Sequence, residues 1–164
     1  MAKRFNAEEI FEMAEQIEAN GYRFYLTAAQ KVKDESLSAM FSRLGQMELD
    51  HEETFHEMRT HLEEEGVPRS AFDPDMQAPA YLQALADAQI FNVHRDMSGA
   101  IEKVKSPLDL LKMAIRAEKD SVVFYAGIRA LVPEDLGRDK IDWLIEQELS
   151  HIADLRTQFR TFTK

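Results

Sequence analysis

Residues 48–51 read Glu-Leu-Asp-His, and residues 148–151, one hundred positions later, read Glu-Leu-Ser-His. Both segments lie where apolar residues recur at steps of three and four, which is the spacing of one face of an α-helix. In each segment the glutamate and the histidine are three residues apart, so both lie on the same helix face. Because that face also carries the apolar residues, the segments place ionisable groups in a helical core, where an unpaired carboxylate costs several kcal/mol.

The two segments belong to a longer internal repeat. Adding 100 to the residue number aligns the first half with the second without a gap, so that Glu18 matches Glu118 and Tyr25 matches Tyr125. A repeat of simple helical hairpins would match mainly at apolar positions. This repeat also matches at two glutamates and one histidine in each half, which indicates a shared task near a pseudo-twofold axis.

The first pair of helices is predicted from terminal signals and from an apolar stripe. Asn6 is a candidate N-cap for a helix over about residues 7–32. A second helix is expected to begin near Ser36 and to end at Gly66, because glycine commonly follows the last residue of a helix. The inward face of this second helix is predicted to carry Phe41, Leu44, Glu48, His51, Phe55, Met58 and Leu62.

The second pair is predicted to begin with Ser106 as N-cap and Pro107 in the first turn, and its last helix is expected to follow Gly137. Residues 66–105 are too many for a direct hairpin, so they are predicted to cross over between the pairs and to include a short helix near 79–91. The expected architecture is one all-α domain, a ferritin-like four-helix bundle, comprising residues 1–164 with helix pairs 7–65 and 106–162.

Composition narrows the classes of function. The net charge of -10 disfavours nucleic acid as a partner, because an acidic surface repels phosphate groups. The absence of cysteine excludes disulfides, thiolate catalysis and iron–sulfur clusters within this sequence. No stretch contains the roughly 20 apolar residues that span a bilayer. We therefore expect a cytoplasmic protein that binds no membrane.

The buried polar residues predict a metal site. Four glutamates in one core would repel one another, and no lysine or arginine lies on the inner stripes near them. Two divalent ions would balance the four negative charges while the histidines bind as neutral imidazoles. Oxygen and imidazole donors suit iron, and also manganese or zinc. The predicted ligands, one Glu from two helices and Glu-x-x-His from the other two, are Glu18, Glu48, His51, Glu118, Glu148 and His151.

Other candidate residues have simpler interpretations. A further Glu-x-x-His at residues 53–56 is rotated roughly 140° from the first one, so it is expected to face solvent. His61 and His94 are also expected at the surface, as is the acidic run at 63–65. Tyr25 and Tyr125 are interpreted as core aromatics, with a hydrogen bond from either hydroxyl to a metal ligand as the alternative.

At the six predicted ligands the chain resembles rubrerythrin-type members of the ferritin-like superfamily. The resemblance covers nearly the whole chain and follows the family order. It implies a non-haem centre of two iron ions that reacts with hydrogen peroxide or dioxygen in oxidative-stress defence. It also implies that Glu48 and Glu148 bridge the two ions, whereas Glu18 and Glu118 each bind one.

The sequence departs from the family at two points. Rubrerythrins usually carry a rubredoxin-like domain with four cysteines, and this sequence has none, so electrons are expected from a separate protein such as a rubredoxin or from ferrous iron. The family also places an extra glutamate three residues after the third-helix ligand, where this chain has Ser121. That change disfavours the usual peroxidase route and favours a more symmetric, ferroxidase-like site.

Three functions therefore remain open at this stage. The first is a di-iron oxidoreductase that reduces peroxide or dioxygen, and the second is an iron-handling protein that oxidises ferrous iron for storage or delivery. The third is a bundle that holds a static metal such as zinc. The resemblance also implies a homodimer, and the crossover at residues 66–105 is long enough for exchange of helix pairs between subunits.

Overall fold

The computed structural model describes residues 7–67 and 98–164. They contain α-helices and one short 3₁₀ helix, with no strand, which confirms the predicted all-α class. The helices are α1 (Ala7–Lys31), α2 (Glu35–Glu64), α3 (Ser98–Glu102), α4 (Pro107–Arg129) and α5 (Arg138–Phe162), and the 3₁₀ helix is Glu134–Leu136.

Helix α2 begins one residue before the predicted position. Asp34 is its N-cap, and the Asp34 side chain accepts a hydrogen bond of 2.8 Å from the backbone N–H of Leu37. An aspartate in this position pairs with a backbone N–H that lacks a partner within the helix. The cap therefore fixes the turn between α1 and α2, which form the first helical hairpin.

At the C-terminal end of α2, Gly66 has the helix-terminating role that was predicted from the sequence. Gly66 has a φ of 60°, a left-handed conformation that glycine adopts without steric cost. Its N–H donates to the carbonyl of Glu63, and the N–H of Val67 donates to the carbonyl of Leu62. These two bonds form a Schellman motif, which ends the helix and satisfies its last carbonyls.

The second hairpin is formed by α4 and α5. Ser106 caps α4 as predicted, since its hydroxyl accepts a hydrogen bond from the N–H of Asp109. Pro107 is the first residue of the helix, and Gly137 precedes α5. The three predicted features of the second pair, the serine cap, the proline and the glycine, are thus confirmed.

Only the ends of the predicted crossover lie in the described residues. The predicted helix near 79–91 and the predicted N-cap Asn6 fall outside them. At the far end of the crossover, α3 packs against α1 through the Lys31 ammonium, which donates to the carbonyls of Ile101 and Glu102 at 2.8 and 2.9 Å. Among the described residues, no helix is both long and apolar enough to cross a membrane.

Two apolar clusters fill the bundle and leave a polar layer between them. On α2, for example, Leu44 belongs to one cluster and Phe55 to the other, while Glu48 and His51 lie between these two positions. On α1, α4 and α5 the buried polar residues likewise lie between residues of the two clusters. Each long helix therefore carries its buried polar residues to the middle of the bundle, with a separate apolar core on either side.

Two residues show how helical phase determines burial. Phe11 is fully buried, because it lies seven residues, about two turns, before Glu18 and shares its inward face. Val122 on α4 is apolar but only half-buried. It follows Glu118 by four residues, a rotation of roughly 40° that moves it to the edge of the inward face.

Candidate metal centre

The polar layer contains all six predicted ligands, and each is buried, with at most 4% of its surface exposed. They form two groups of four whose candidate donor atoms lie within 4.8 Å of one another. One group contains Glu18 and His51, the other contains Glu118 and His151, and both contain Glu48 and Glu148. The two groups are related by the same repeat that relates the two halves of the sequence.

Distances between the donor atoms fit a coordination sphere. His51 Nδ1 lies 2.9 Å from Glu148 Oε1 and 3.6 Å from Glu18 Oε2. His151 Nδ1 lies between 3.2 and 3.5 Å from oxygens of Glu48, Glu148 and Glu118. Donors held about 2.1 Å from one ion would be separated by about 3.0–3.4 Å in octahedral or tetrahedral geometry. The observed separations scatter around that range.

The same atoms lack hydrogen-bond partners. In the described part of the chain, every buried side-chain polar atom without a partner belongs to these residues, namely Glu18 Oε2, Glu48 Oε1, both Glu148 oxygens, His51 Nδ1 and both His151 ring nitrogens. The two Nδ1 atoms are close to carboxylates but not in hydrogen-bonding geometry. Buried polar atoms normally have partners, so a set of unpaired donors converging on one layer fits metal ions.

Two tyrosines tie the hairpins together at this layer. The Tyr25 hydroxyl on α1 donates to the Glu118 carboxylate on α4, and the Tyr125 hydroxyl on α4 donates to the Glu18 carboxylate on α1. The alternative interpretation from sequence, a hydroxyl bonded to a predicted ligand, therefore holds for both tyrosines. On Glu18 the bond engages Oε1 and leaves Oε2, which has no hydrogen-bond partner, beside His51. On Glu118 the oxygen that accepts the bond also lies 3.5 Å from His151 Nδ1.

Gly21 also belongs to the site, although the sequence pattern did not predict a role for it there. A Cβ placed on Gly21 would lie 2.8 Å from Glu48 Oε2, which is closer than carbon and oxygen can approach without a shift. The missing side chain thus provides space for the Glu48 carboxylate against the backbone of α1. Gly21 follows Glu18 by three residues, so its helical phase was the available signal.

Trp143 is the second residue that sequence reasoning missed. It is the only tryptophan in the chain, it is 44% exposed, and its ring meets the His51 ring edge-on with centroids 5.7 Å apart. The repeat places Arg43 at the equivalent position of the first half. Because most positions differ between the two halves, this difference is not a signal, and the sequence alone did not mark Trp143 as part of the site.

The remaining candidates lie at the surface as predicted. Glu53, His56 and His61 are exposed, as is the acidic run at residues 63–65. His94 is outside the described residues. Ser121 is half-buried three residues beyond Glu118, where the repeat equivalent is Gly21.

The layer binds protons strongly when no metal neutralises it. Burial and then Glu148 raise the pKa of Glu118 to about 8, and the same two causes raise the pKa of Glu48 well above its usual range. Burial lowers the pKa of both histidines, but neighbouring carboxylates outweigh it and raise His51 to about 10 and His151 to about 9. For Glu148, burial raises the pKa, but the close approach of Glu118 and the two histidines outweighs burial and lowers the pKa.

These shifts predict how the stability of the metal-free protein depends on pH. The native pKa of Glu118 is raised from 4.5 to about 8, and those of His51 and His151 from 6.5 to about 10 and about 9. At a pH between the ordinary and the raised pKa of a group, the native state binds more protons than the unfolded state. The free energy of unfolding should therefore fall as the pH rises from 6 to 8, by an amount on the order of a few kcal/mol.

Urea unfolding in the presence of a chelator would measure this slope. Addition of a divalent metal should flatten or reverse it, because metal replaces the bound protons and its affinity grows with pH. A metal-free protein that becomes more stable between pH 6 and pH 8 would contradict the proposed proton uptake.

Comparison with known proteins establishes the fold. No protein-family model and no curated protein matches the sequence. Among solved structures, the chain is similar to one from Thermotoga maritima that is assigned to the ferritin-like diiron-carboxylate proteins, with 21% identity, 98% of each chain covered and a TM-score of 0.69. At this identity the similarity shows the fold alone. The chain therefore has the ferritin-like four-helix bundle fold predicted from its sequence.

Proposed function

We propose that this chain is a non-haem di-iron protein of the rubrerythrin type, which reduces hydrogen peroxide or dioxygen while a diferrous centre is oxidised. The observation that carries the proposal is the sharing of Glu48 and Glu148 between two otherwise separate ligand groups. Two shared carboxylates bring two ions close together, as reactions at two metals require. A single structural metal would use one group of four and would leave the other two residues without a purpose.

The residues of the chain have distinct tasks in this proposal. Glu18 with His51, and Glu118 with His151, would each hold one ion, and the shared Glu48 and Glu148 would contribute negative charge to both. Tyr25 and Tyr125 orient the two unshared carboxylates by their hydrogen bonds. When bound, two ferrous ions would supply the two electrons that cleave the O–O bond.

The apolar clusters above and below the layer complete the site. They exclude water from its two ends, which strengthens the electrostatic interactions within it. The described residues place no lysine or arginine in contact with the four glutamates, since their short charged contacts are all with histidines. Cations that displace the bound protons would therefore meet four carboxylates for which no lysine or arginine competes.

Anaerobic loading with ferrous iron, followed by a peroxide titration, tests the proposal. We expect two ions per chain, one for each group, and oxidation with about one peroxide per pair of ions. Near-ultraviolet absorbance would follow the oxidation. Fluorescence of Trp143 would follow the binding, because the ring lies 5.7 Å from that of His51 and bound iron should quench it.

Loss of the iron on desalting, or loading at one ion per chain, would contradict a di-iron centre. Stable binding of two ions with no reaction towards peroxide or dioxygen would instead favour the static metal site. In that case zinc should bind as tightly as iron, because the donor set suits both metals.

A second candidate, ferroxidase activity for iron storage or delivery, is favoured by Ser121. Neither Ser121 nor its repeat equivalent Gly21 can contribute a fifth carboxylate, so the ligand set is symmetric. The two candidates differ in the fate of the oxidised iron. Bleaching by a reductant over repeated peroxide cycles would support the peroxidase, whereas release of ferric iron or uptake well beyond two ions per chain would support the ferroxidase.

A further inference from the structure

The side chain of Trp143 contacts both solvent and a residue of the buried site. Its indole is 44% exposed on the outer side and meets the ring of His51 on the inner side. His51 is 1% exposed, and its Nδ1 lies 2.9 Å from Glu148, a member of both ligand groups. Tryptophan is also, with tyrosine, the side chain that most readily gives up a single electron.

Peroxide chemistry creates a need for such a residue when the site is half loaded. Reduction of hydrogen peroxide to two water molecules takes two electrons. A ferrous ion supplies only one, and the other product of a one-electron reaction is a hydroxyl radical. Because ions bind one after the other, a protein with two ion sites passes through this half-loaded state whenever it is filled.

We propose that Trp143 is the surface end of a one-electron route to the site, and that it supplies the second electron through His51 when one ferrous ion is bound. The inference rests on the proposed function and adds a protective role to it. It assigns Trp143 the task of preventing hydroxyl radical release, and it leaves the reaction of the fully loaded site unchanged.

The electrons and protons of this step balance. The O–O bond breaks and both oxygen atoms end as water, which consumes two protons and two electrons. One electron comes from the ferrous ion, which becomes ferric, and the other from the indole of Trp143. The indole becomes a neutral radical by releasing its N–H proton to solvent, so the net uptake is one proton. A small reductant in solution can then restore the exposed ring.

Exposure distinguishes Trp143 from the two tyrosines of the site. Tyr25 and Tyr125 are 2% and 0% exposed, and their hydroxyls donate to Glu118 and Glu18. A radical on either tyrosine would be enclosed by the core and out of reach of an outside reductant. Trp143 alone among these rings contacts both a predicted ligand and solvent.

The test uses Glu118→Gln to hold the chain at one ion. This change affects only the group with His151 and keeps the group of Glu18, Glu48, His51 and Glu148, which lies beside Trp143. Two further variants are built on it. W143F preserves an aromatic ring over His51 but resists oxidation, and W143Y restores a ring that can be oxidised.

Each variant is loaded with ferrous iron without oxygen, mixed with peroxide and frozen for electron paramagnetic resonance, with a parallel sample containing a hydroxyl-radical trap. We expect an indole radical in the E118Q protein. With W143F added, the indole signal should vanish and the trapped hydroxyl adduct should rise several-fold, and W143Y should lower the adduct again. Cobalt absorption spectra should be the same in all three, which establishes that the ion site is intact.

Equal hydroxyl adduct with and without W143F would overturn the proposal, as would a tyrosine radical that W143F leaves unchanged. Failure of the underlying function gives a different result, because the unsubstituted protein would then bind fewer than two irons or show no reaction with peroxide. Two tightly bound irons in the unsubstituted protein, together with no indole radical in the E118Q protein, would refute the role of Trp143 alone.

Discussion

Replacement of Glu48 with glutamine is expected to abolish tight binding of both metal ions and to leave the metal-free protein folded. Glu48 belongs to both ligand groups, so its change removes one negative charge and one anionic donor from each. Substitutions of residues that only support a ligand commonly lower metal affinity 10–100-fold, and we expect a loss of at least about 100-fold for a ligand shared by both ions. Iron analysis after anaerobic desalting would measure it.

The metal-free protein should tolerate this change for an electrostatic reason. Burial, and next Glu148, raise the pKa of Glu48 well above its usual range, which favours the protonated, neutral side chain without metal. Glutamine has the same shape and is also neutral. The free energy of unfolding in a chelator should therefore change by less than about 1 kcal/mol, within the range of mild substitutions.

Glu18→Gln is the matched control. Glu18 is equally buried but belongs to one group only, so the iron content should fall from two ions to one and not to none. If Glu48→Gln retained one ion as tightly as Glu18→Gln, the two residues would have equivalent roles. The assignment of Glu48 to both ligand groups would then be wrong.

The sequence was sufficient to predict which polar residues meet. Glu48 and His51 are in phase with Leu44 and Phe55 on one helix, and phase along a helix is a local property that the chain displays directly. The segment at residues 53–56 has the same two residue types, but its phase directs it to solvent, as the structure confirms for Glu53 and His56. Periodicity therefore distinguishes the core motif from its surface copy.

The sequence was not sufficient to predict contacts between helices. That Tyr25 pairs with Glu118, and Tyr125 with Glu18, depends on the rotation and height of α1 relative to α4, which no local pattern specifies. The contact between Trp143 and His51 likewise joins two helices from different hairpins. Such contacts follow from packing of the whole bundle, so they were visible only in the folded chain.

Gly21 illustrates a further limit of sequence reasoning. Within a helix, glycine reads as a weak position that costs about 1 kcal/mol relative to alanine. The structure gives it a reason, since the Glu48 carboxylate occupies the volume that a side chain would fill. A feature that is unfavourable for the helix is thus retained where a buried carboxylate needs space, as occurs at functional sites.

Gly21→Ala should therefore separate stability from metal binding. The helix should gain up to about 1 kcal/mol in the metal-free protein, because alanine loses less backbone freedom on folding. The new methyl would start 2.8 Å from Glu48 Oε2, so the carboxylate must move by about half an ångström or more to reach ordinary contact. Metal–ligand distances tolerate about 0.2 Å, so affinity for both ions should fall at least about tenfold.

Gly99→Ala provides the control, because it adds the same methyl to a helical glycine with no atom within 4 Å. It should leave iron binding unchanged. Urea unfolding in a chelator and cobalt titration would measure the two quantities for each variant. If Gly21→Ala bound two ions as tightly as the unsubstituted protein, the carboxylate would be free to move without loss. The position of Glu48 would then be set by the metal and not by the backbone of α1.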